Sequence, residues 1–412
     1  MDYWDYIAAN ATADPAKLRL AAAGRKYDFE VADAILQIEA RRKFGRKLAT
    51  TLAACPHFRF PTMLSGEQAS SDLLADYHAG LTAQGLTAVD LTAGLGIDAL
   101  HMCSRAAEVT AIERDERLCE ALRANAAGLS VDNIKVECAD CREFVDSTVA
   151  EGRTYDVAFI DPARRAADGS RVFGFKDCEP DVAALLPKLR QMCRLLVIKA
   201  SPMLDVTAAV QSLGATPRAV IALGTPTECK ELLFLVDFAA PEPAEPMLEA
   251  VTLAPDGSGA TTFSFLRSRE LAAEAVALQP AAKAGDTVCE PSPSVMKLAP
   301  FKLLAQTWGL NGFGGGTHLF YRASPPQGAF PGRLFRIEEV LPYASKVIKR
   351  LSGRYPAAQI ATRNFGISAD ELRRRLGMRQ SDSVRIFGVT DSTGARQLVV
   401  TTPLKNHSDF AE

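Results

Sequence analysis

The stretch Val89 to Leu100, VDLTAGLGIDAL, joins two glycines and two carboxylates at a spacing that suits a ligand held against backbone. Gly94 and Gly96 let the chain approach where a Cβ would collide, and a helix starting behind them would aim free N–H groups at the ligand. With Ala99 they also satisfy the G-x-G-x-x-G/A pattern of dinucleotide binding, whose ligand is an anionic pyrophosphate. Asp90 and Asp98 flank the same turn, and carboxylates there repel a phosphate and suit an ammonium or another cation. Glu113 follows the first glycine by about twenty residues, where a carboxylate accepts hydrogen bonds from both hydroxyls of a ribose, whichever ligand carries it. Asp140 closes a further apolar run, where a carboxylate and the next N–H, that of Cys141, suit an adenine edge.

A second group of residues points to a second substrate. In FIDPARR, Phe159 to Arg165, an acid and a proline end an apolar run, the place in a doubly wound sheet where ligands meet. Asp161, with Pro162, is the candidate for orienting or deprotonating an acceptor. Lys199, at the end of LLVIKA, and Glu228 are expected to line the same pocket. Arg164 and Arg165 are candidates for clamping a substrate phosphate. No metal site is expected: Cys138 and Cys141 form a single C-x-x-C with no second pair and no neighbouring His, and read as two strand-end thiols.

Elements that position these residues follow from hydrophobic period. Residues 1–59 read as helical, with apolar residues at three and four spacing, and the basic run Arg41 to Lys47 reads as a solvated face. From 60 to 240, short apolar runs (TAVDLT, EVTAIER, IKVECAD, YDVAFIDPA, LLVIKASP) alternate with helical segments, the first of them SGEQASSDLLADYHAGL with Ser65 as its N-cap. AVIALG and ELLFLVDF lie too close for a crossover and are expected to pair antiparallel. The fold class is therefore α/β, a Rossmann-like seven-stranded sheet behind a helical N-terminal region. AAPEPAEP marks a domain edge. Beyond it come a hairpin, a linker and a small mixed unit over 241–333, then a last α+β unit over 334–412 containing VLPYASKVIKRLSG and SADELRRRLG as helices.

The order VDLTAGLGIDAL, AIERD, ECAD, FIDPAR, closed by an antiparallel strand, resembles the class I S-adenosylmethionine (SAM)-dependent methyltransferases. Within them, residues 88–129 are similar to the branch containing trimethylguanosine synthase and the guanine-N2 enzymes. The resemblance implies SAM as cofactor, a sulfonium cation carrying an amino acid. It implies that Asp90, Thr92, Gly94 and Gly96 cradle methionine and ribose, with Ala93, Asp98, Arg114, Cys141 and Asp161 around them, that Glu113 holds the ribose, and that Asp140 reads the adenine. Asp161 and Pro162 match the start of the D-P-P-(aromatic) motif of that branch, whereas Ala163 and Arg164 replace its second proline and its aromatic ring. A D-P-P-R form belongs to uridine-C5 methyltransferases, which use a cysteine after the fifth strand; here that segment is KASPMLD. Direct in-line displacement is the expected reaction, with Asp161, Pro162 and Lys199 as the catalytic set.

Residues 286–405 resemble the ferredoxin-like and THUMP-like modules of bacterial methyltransferases, and THUMP modules imply RNA, tRNA first. Between 333 and 405 basic residues outnumber acidic ones about two to one, and Arg363, Arg373, Arg374 and Arg375 are the candidate RNA contacts. The whole chain, at a net charge of -2, carries no such field. Two alternatives stand beside this reading: a methyltransferase-fold RNA-binding protein weakened in catalysis, and an NAD-dependent oxidoreductase. MDYWDYIAAN lacks a signal-peptide pattern and no apolar run approaches a membrane span, so a cytoplasmic protein without a membrane partner is expected. The nine cysteines fit reduced thiols, and the oligomeric state is left open.

Overall fold

The computed structural model describes residues 2–164, Phe175, 178–279 and 281–404. The chain forms two compact units, Met1–Arg218 with Leu233–Ala244, and Ala219–Leu232 with Glu245–Glu412. Its first strands are β1 (Thr87–Asp90), β2 (Glu108–Glu113), β3 (Ile134–Cys138), β4 (Tyr155–Ile160), β5 (Ala163–Arg164), β6 (Cys178–Glu179), β7 (Cys193–Ala200), β8 (Ala219–Gly224) and β9 (Cys229–Asp237). There follow β10 (Met247–Leu253), β11 (Ala260–Leu266), β12 (Thr287–Pro291), β13 (Asn311–Gly312), β14 (Phe320–Arg322), β15 (Gly332–Pro342), β16 (Gln359–Arg363), β17 (Arg385–Thr390) and β18 (Arg396–Pro403).

In the first unit β7-β4-β1-β2-β3 run parallel. Strands covered on both faces read as apolar runs, and β2 (EVTAIE) and β4 (YDVAFI) each bury four consecutive residues. Asp115, Asp140, Asp181 and Asp205 each cap the helix that follows, accepting an N–H two or three residues on. The Phe238 N–H donates to the Arg194 carbonyl at 2.8 Å, so the end of β9 lies beside the start of β7 and β9 runs against the parallel strands. At the β8–β9 turn the Thr225 N–H donates to the Glu228 carbonyl at 2.8 Å, and at its open end the Arg218 N–H donates to Leu235 at 2.7 Å, the hairpin expected of these runs.

Ahead of the sheet, helices over Tyr3–Ala9, Pro15–Ala22 and Val31–Phe44 close on a core of Tyr6, Ile7, Ala22, Ala34, Ile35 and Ile38. The basic run here is more than a solvated face: Arg41 donates to the Phe58 carbonyl at 2.7 Å and lies over Trp4, and Lys47 donates to the Gly66 carbonyl at 3.0 Å. The helix expected from Ser65 is two helices, Met63–Gln68 and Asp72–Gly80. Thr62 and Ser71 cap them; Ser65 sits inside the first turn and closes a capping box with Thr62.

In the second unit β10 pairs parallel with β8 and antiparallel with β11. A seven-stranded sheet follows in the order β13-β14-β12-β15-β18-β17-β16, antiparallel except for β16 and β17. Strand β15 is shared between the segments read as separate in sequence, pairing with β12 on one side and β18 on the other. The helix expected from Val340 begins only at Ser345, because Val340–Pro342 prolong β15 against β18. The helices Ser345–Arg354 and Ala369–Leu376 contribute Leu351, Leu372 and Leu376 to a core with Ile386, Leu398 and Val400. Among the described residues no helix is long and apolar enough to cross a membrane.

Candidate active site

Because β1, β2, β4 and β7 are parallel, Asp90, Glu113, Asp161 and Lys199 come to one edge of the sheet, the C-terminal edge. The glycine turn leaves β1 tied to both neighbours: the Leu91 N–H donates to Phe159 and the Ala93 N–H to Ile112, each at 2.9 Å. Gly94 lies at φ +57° with open space where a Cβ would project. Gly96 lies at φ +84° against Leu122, whose Cδ1 would be 2.1 Å from a Cβ, so two constraints require glycine there.

Each acid has a distinct local role. Asp90 is 2% exposed and accepts the Thr92 N–H at 3.0 Å. Burial, with Asp98 and then Asp161 nearby, pushes its carboxyl up to about 8, so at neutral pH it holds a proton. Asp98 turns to the helix preceding β1, accepting from Ser70 Oγ and His78 Nδ1 at 2.7 Å each. Burial raises its pKa, but His78 outweighs that and holds it below the usual carboxylate range. Glu113 accepts the Gly94 N–H at 2.9 Å on one oxygen and the Arg114 and Asp115 N–H groups at 2.8 Å on the other, fixing the glycine turn to β2.

Asp140 caps its helix through the Arg142 N–H and takes the Arg142 guanidinium on both oxygens, at 2.9 and 2.8 Å. That contact lowers its carboxyl to about 2. Cys141 opens the helix Cys141–Ala150, its thiol pushed by burial to about 11, and among the described residues no group of His, Cys, Asp and Glu could hold a metal ion. The exposed Arg114 stands between β2 and its helix.

Asp161 and Lys199 form the centre of the edge. The Asp161 N–H donates to Thr92 Oγ1 at 2.7 Å, which couples the end of β4 to the glycine turn. Lys199 Nζ donates to Asp161 Oδ2 at 2.7 Å and to Ser70 Oγ at 3.2 Å. Pro162 is buried, and β5 and β6 pair the Asp-Pro-Ala-Arg segment with Cys178–Glu179. Arg164 lies in β5, and Arg165 lies outside the described residues. Ser70 and His78 join Lys199 and Asp98 although neither lies in a motif of the sequence.

The other candidates belong to the second unit. Glu228 pairs with Lys230 in the β8–β9 turn. Arg363, on β16, points to Glu290, which is 2% exposed and also carries Arg333 at 2.9 Å and Arg385 at 2.7 Å. On the helix Ala369–Leu376, Arg373 pairs with Asp370, Arg375 pairs with Glu371 and donates to Tyr343 Oη at 3.0 Å, and Arg374 is exposed.

Comparison with known proteins bears on this geometry. Residues 42–169 match the family described as conserved hypothetical protein 95. Over 98% of both chains, this one superposes with a TM-score of 0.86 and 28% identity on the crystal structure of a protein named as a methyltransferase, from Porphyromonas gingivalis W83. The chain shares the fold of that methyltransferase over nearly its whole length and carries a THUMP-like module. The module, described as THUMP domain-like, matches residues 332–403. Over 115 residues the chain is 33% identical to the 23S rRNA (uracil(1939)-C(5))-methyltransferase RlmD of Vesicomyosocius okutanii subsp. Calyptogena okutanii (strain HA), a match that covers 28% of this chain and 23% of that protein. In a chain with the fold of a methyltransferase over nearly its whole length, Gly94, Gly96 and Ala99 mark the turn behind the first strand and the start of its helix.

Proposed function

We propose that this methyltransferase transfers a methyl group from SAM directly to a base of structured RNA, tRNA first among the candidates. The observation that carries the reading is the meeting of a buried carboxylate, a left-handed glycine with open space before it, and the Asp161–Lys199 pair at one sheet edge. The residues fit the cofactor. A Cβ at Gly94 would fill the space in front of the turn, Asp90 becomes a favourable anion once a sulfonium or ammonium lies beside it, and Glu113 and Asp140 offer carboxylate oxygens for ribose and adenine. SAM supplies an electrophilic methyl on a positively charged sulfur.

What the protein itself does is hold and orient. Asp90, Thr92, Ala93, Gly94, Gly96 and Glu113 form the rigid turn, Asp98 anchors its helix to Ser70 and His78, and Asp161 with Lys199 faces the acceptor. In-line displacement gains most from such positioning. The RNA assignment is supported by the THUMP-like match, by the name of the RNA-modifying relative and by the basic balance of residues 333–405. Mass spectrometry of RNA nucleosides from cells with and without the gene tests it. One methylated nucleoside missing from the deletion, and restored by the full chain, is expected; an unchanged RNA profile, with transfer to a small amine in vitro, overturns it.

A further inference from the structure

Resting on the methyltransferase reading, the geometry points to the chemical class of the acceptor: we propose that it is a ring nitrogen of the lactam type, an N–H beside a C=O, as on the N1 edge of guanine or the N3 edge of uracil. The observation is the Asp161–Lys199 pair. Lys199 Nζ stands 2.7 Å from Asp161 Oδ2, its side chain 12% exposed, while the Asp161 side chain is 38% exposed at the sheet edge. The pair presents one hydrogen-bond acceptor and one donor side by side, with Ser70 Oγ at 3.2 Å holding the ammonium and Thr92 Oγ1 holding the Asp161 backbone. A lactam presents the complementary donor and acceptor.

Complementarity alone also fits an amidine edge, such as the amine and ring nitrogen of adenine; the reaction chemistry separates the two. The nitrogen of a lactam has its lone pair drawn into the carbonyl and becomes a nucleophile when its proton leaves. A carboxylate at the N–H and an ammonium at the oxygen assist that step together, one removing the proton and the other stabilising the charge that develops on oxygen. An exocyclic amine gains nothing from the same pair, since an ammonium on the neighbouring ring nitrogen drains density from the attacking amine. Ala163 stands where amine methyltransferases resembling this chain carry a second proline, which agrees with a different acceptor.

The step balances without a further reactant. The N–H bond breaks and its proton passes to an Asp161 oxygen; the electron pair left on nitrogen forms the N–CH3 bond; the pair of the broken S–CH3 bond stays on sulfur, leaving a neutral thioether. Lys199 remains protonated throughout and passes its hydrogen bond from Asp161 to the base oxygen.

The test incubates the full chain with total RNA from cells lacking the gene and with SAM bearing a deuterated methyl, then identifies the labelled nucleoside by mass spectrometry. Label on a ring nitrogen next to a carbonyl, as in 1-methylguanosine or 3-methyluridine, is the expected result. Label on an exocyclic amine, on carbon or on ribose overturns the lactam assignment and leaves the methyltransferase reading intact; label in no nucleoside removes both. Lys199→Met supplies a readout that a structural role does not move. It should lower kcat by about 10²–10³-fold with little change in KM, and shift the rising limb of the kcat–pH profile upward by about one unit or more, because the base then loses its proton unaided. A loss of kcat with an unshifted profile contradicts the role given to Lys199.

Discussion

Asp90 lies buried at the end of β1 and Asp98 partly buried in the first turn of the helix Ile97–Met102, whereas Arg373, Arg374 and Arg375 stand on the helix Ala369–Leu376, Arg373 and Arg375 with acids of that helix as partners. Charge taken out of water is expensive, so every buried ionisable group needs a partner or a proton: Asp98 takes His78 and Ser70, and Asp90 takes the proton. Exposed arginines need neither, and local pairing costs them little. Glu290, with Arg333, Arg363 and Arg385 around it, shows that the C-terminal unit too can bury charge when it supplies enough partners. Burial therefore separates the candidates better than residue type. Arg363 is engaged within the sheet, while the helix arginines stay at the surface.

Removing the buried partner gives the largest effect. Glu290→Ala strips three guanidiniums of their shared carboxylate and should lower stability by about 3–5 kcal/mol, read from urea unfolding. If the loss stays below about 1 kcal/mol, the arginine cluster is solvated and the comparison fails. Next, Asp161→Asn should reduce turnover by about 10²–10⁴-fold at unchanged SAM affinity, since the amide cannot take a proton. Gly94→Ala places a side chain at φ +57°, at about 1–2 kcal/mol in thermal stability, and SAM affinity should fall further because the methyl points into the open space. Replacing Arg373, Arg374 and Arg375 by alanine together should leave the thermal midpoint nearly unchanged, weaken RNA binding and flatten its salt dependence. An unaltered salt slope would remove that helix from the RNA surface.

Much of the site is visible along the chain because a parallel sheet places strand-end residues together. Asp90, Glu113 and Asp161 are identified simply as acids ending apolar runs, and Gly94 and Gly96 as the turn between the first strand and its helix. The partners of these residues are not visible in that way. His78 comes from the helix Asp72–Gly80 that precedes β1 and Ser70 from the short link ahead of that helix; both reach the edge through tertiary packing, and no spacing rule links them to Asp98 twenty or more residues later. Asp98 itself reads as a loop acid facing a ligand, whereas its carboxylate is turned to that helix. Glu290 carries a weak signal, an acid within a strand whose five residues are all buried. The extension of β15 over Val340–Pro342 escapes the pattern for another reason: apolar residues at the end of a strand and at the start of a helix look alike until the pairing with β18 decides.

The central claim is that Asp90 is the buried anion that receives a cationic methyl donor. Its folded-state pKa is raised, so its contribution to the stability of the cofactor-free protein is full near pH 4 and is lost as pH rises through about 8; a bound cation reverses that by favouring the carboxylate. Calorimetric titration of the full chain with SAM between pH 6 and pH 9 measures this directly. The account predicts affinity that tightens by up to about tenfold per pH unit below pH 8 and levels off above it, and an Asp90→Asn variant that binds weakly at every pH while unfolding at a higher temperature than the native chain at pH 9. Affinity independent of pH, or an Asp90→Asn variant that binds SAM as tightly as the native chain, would contradict it.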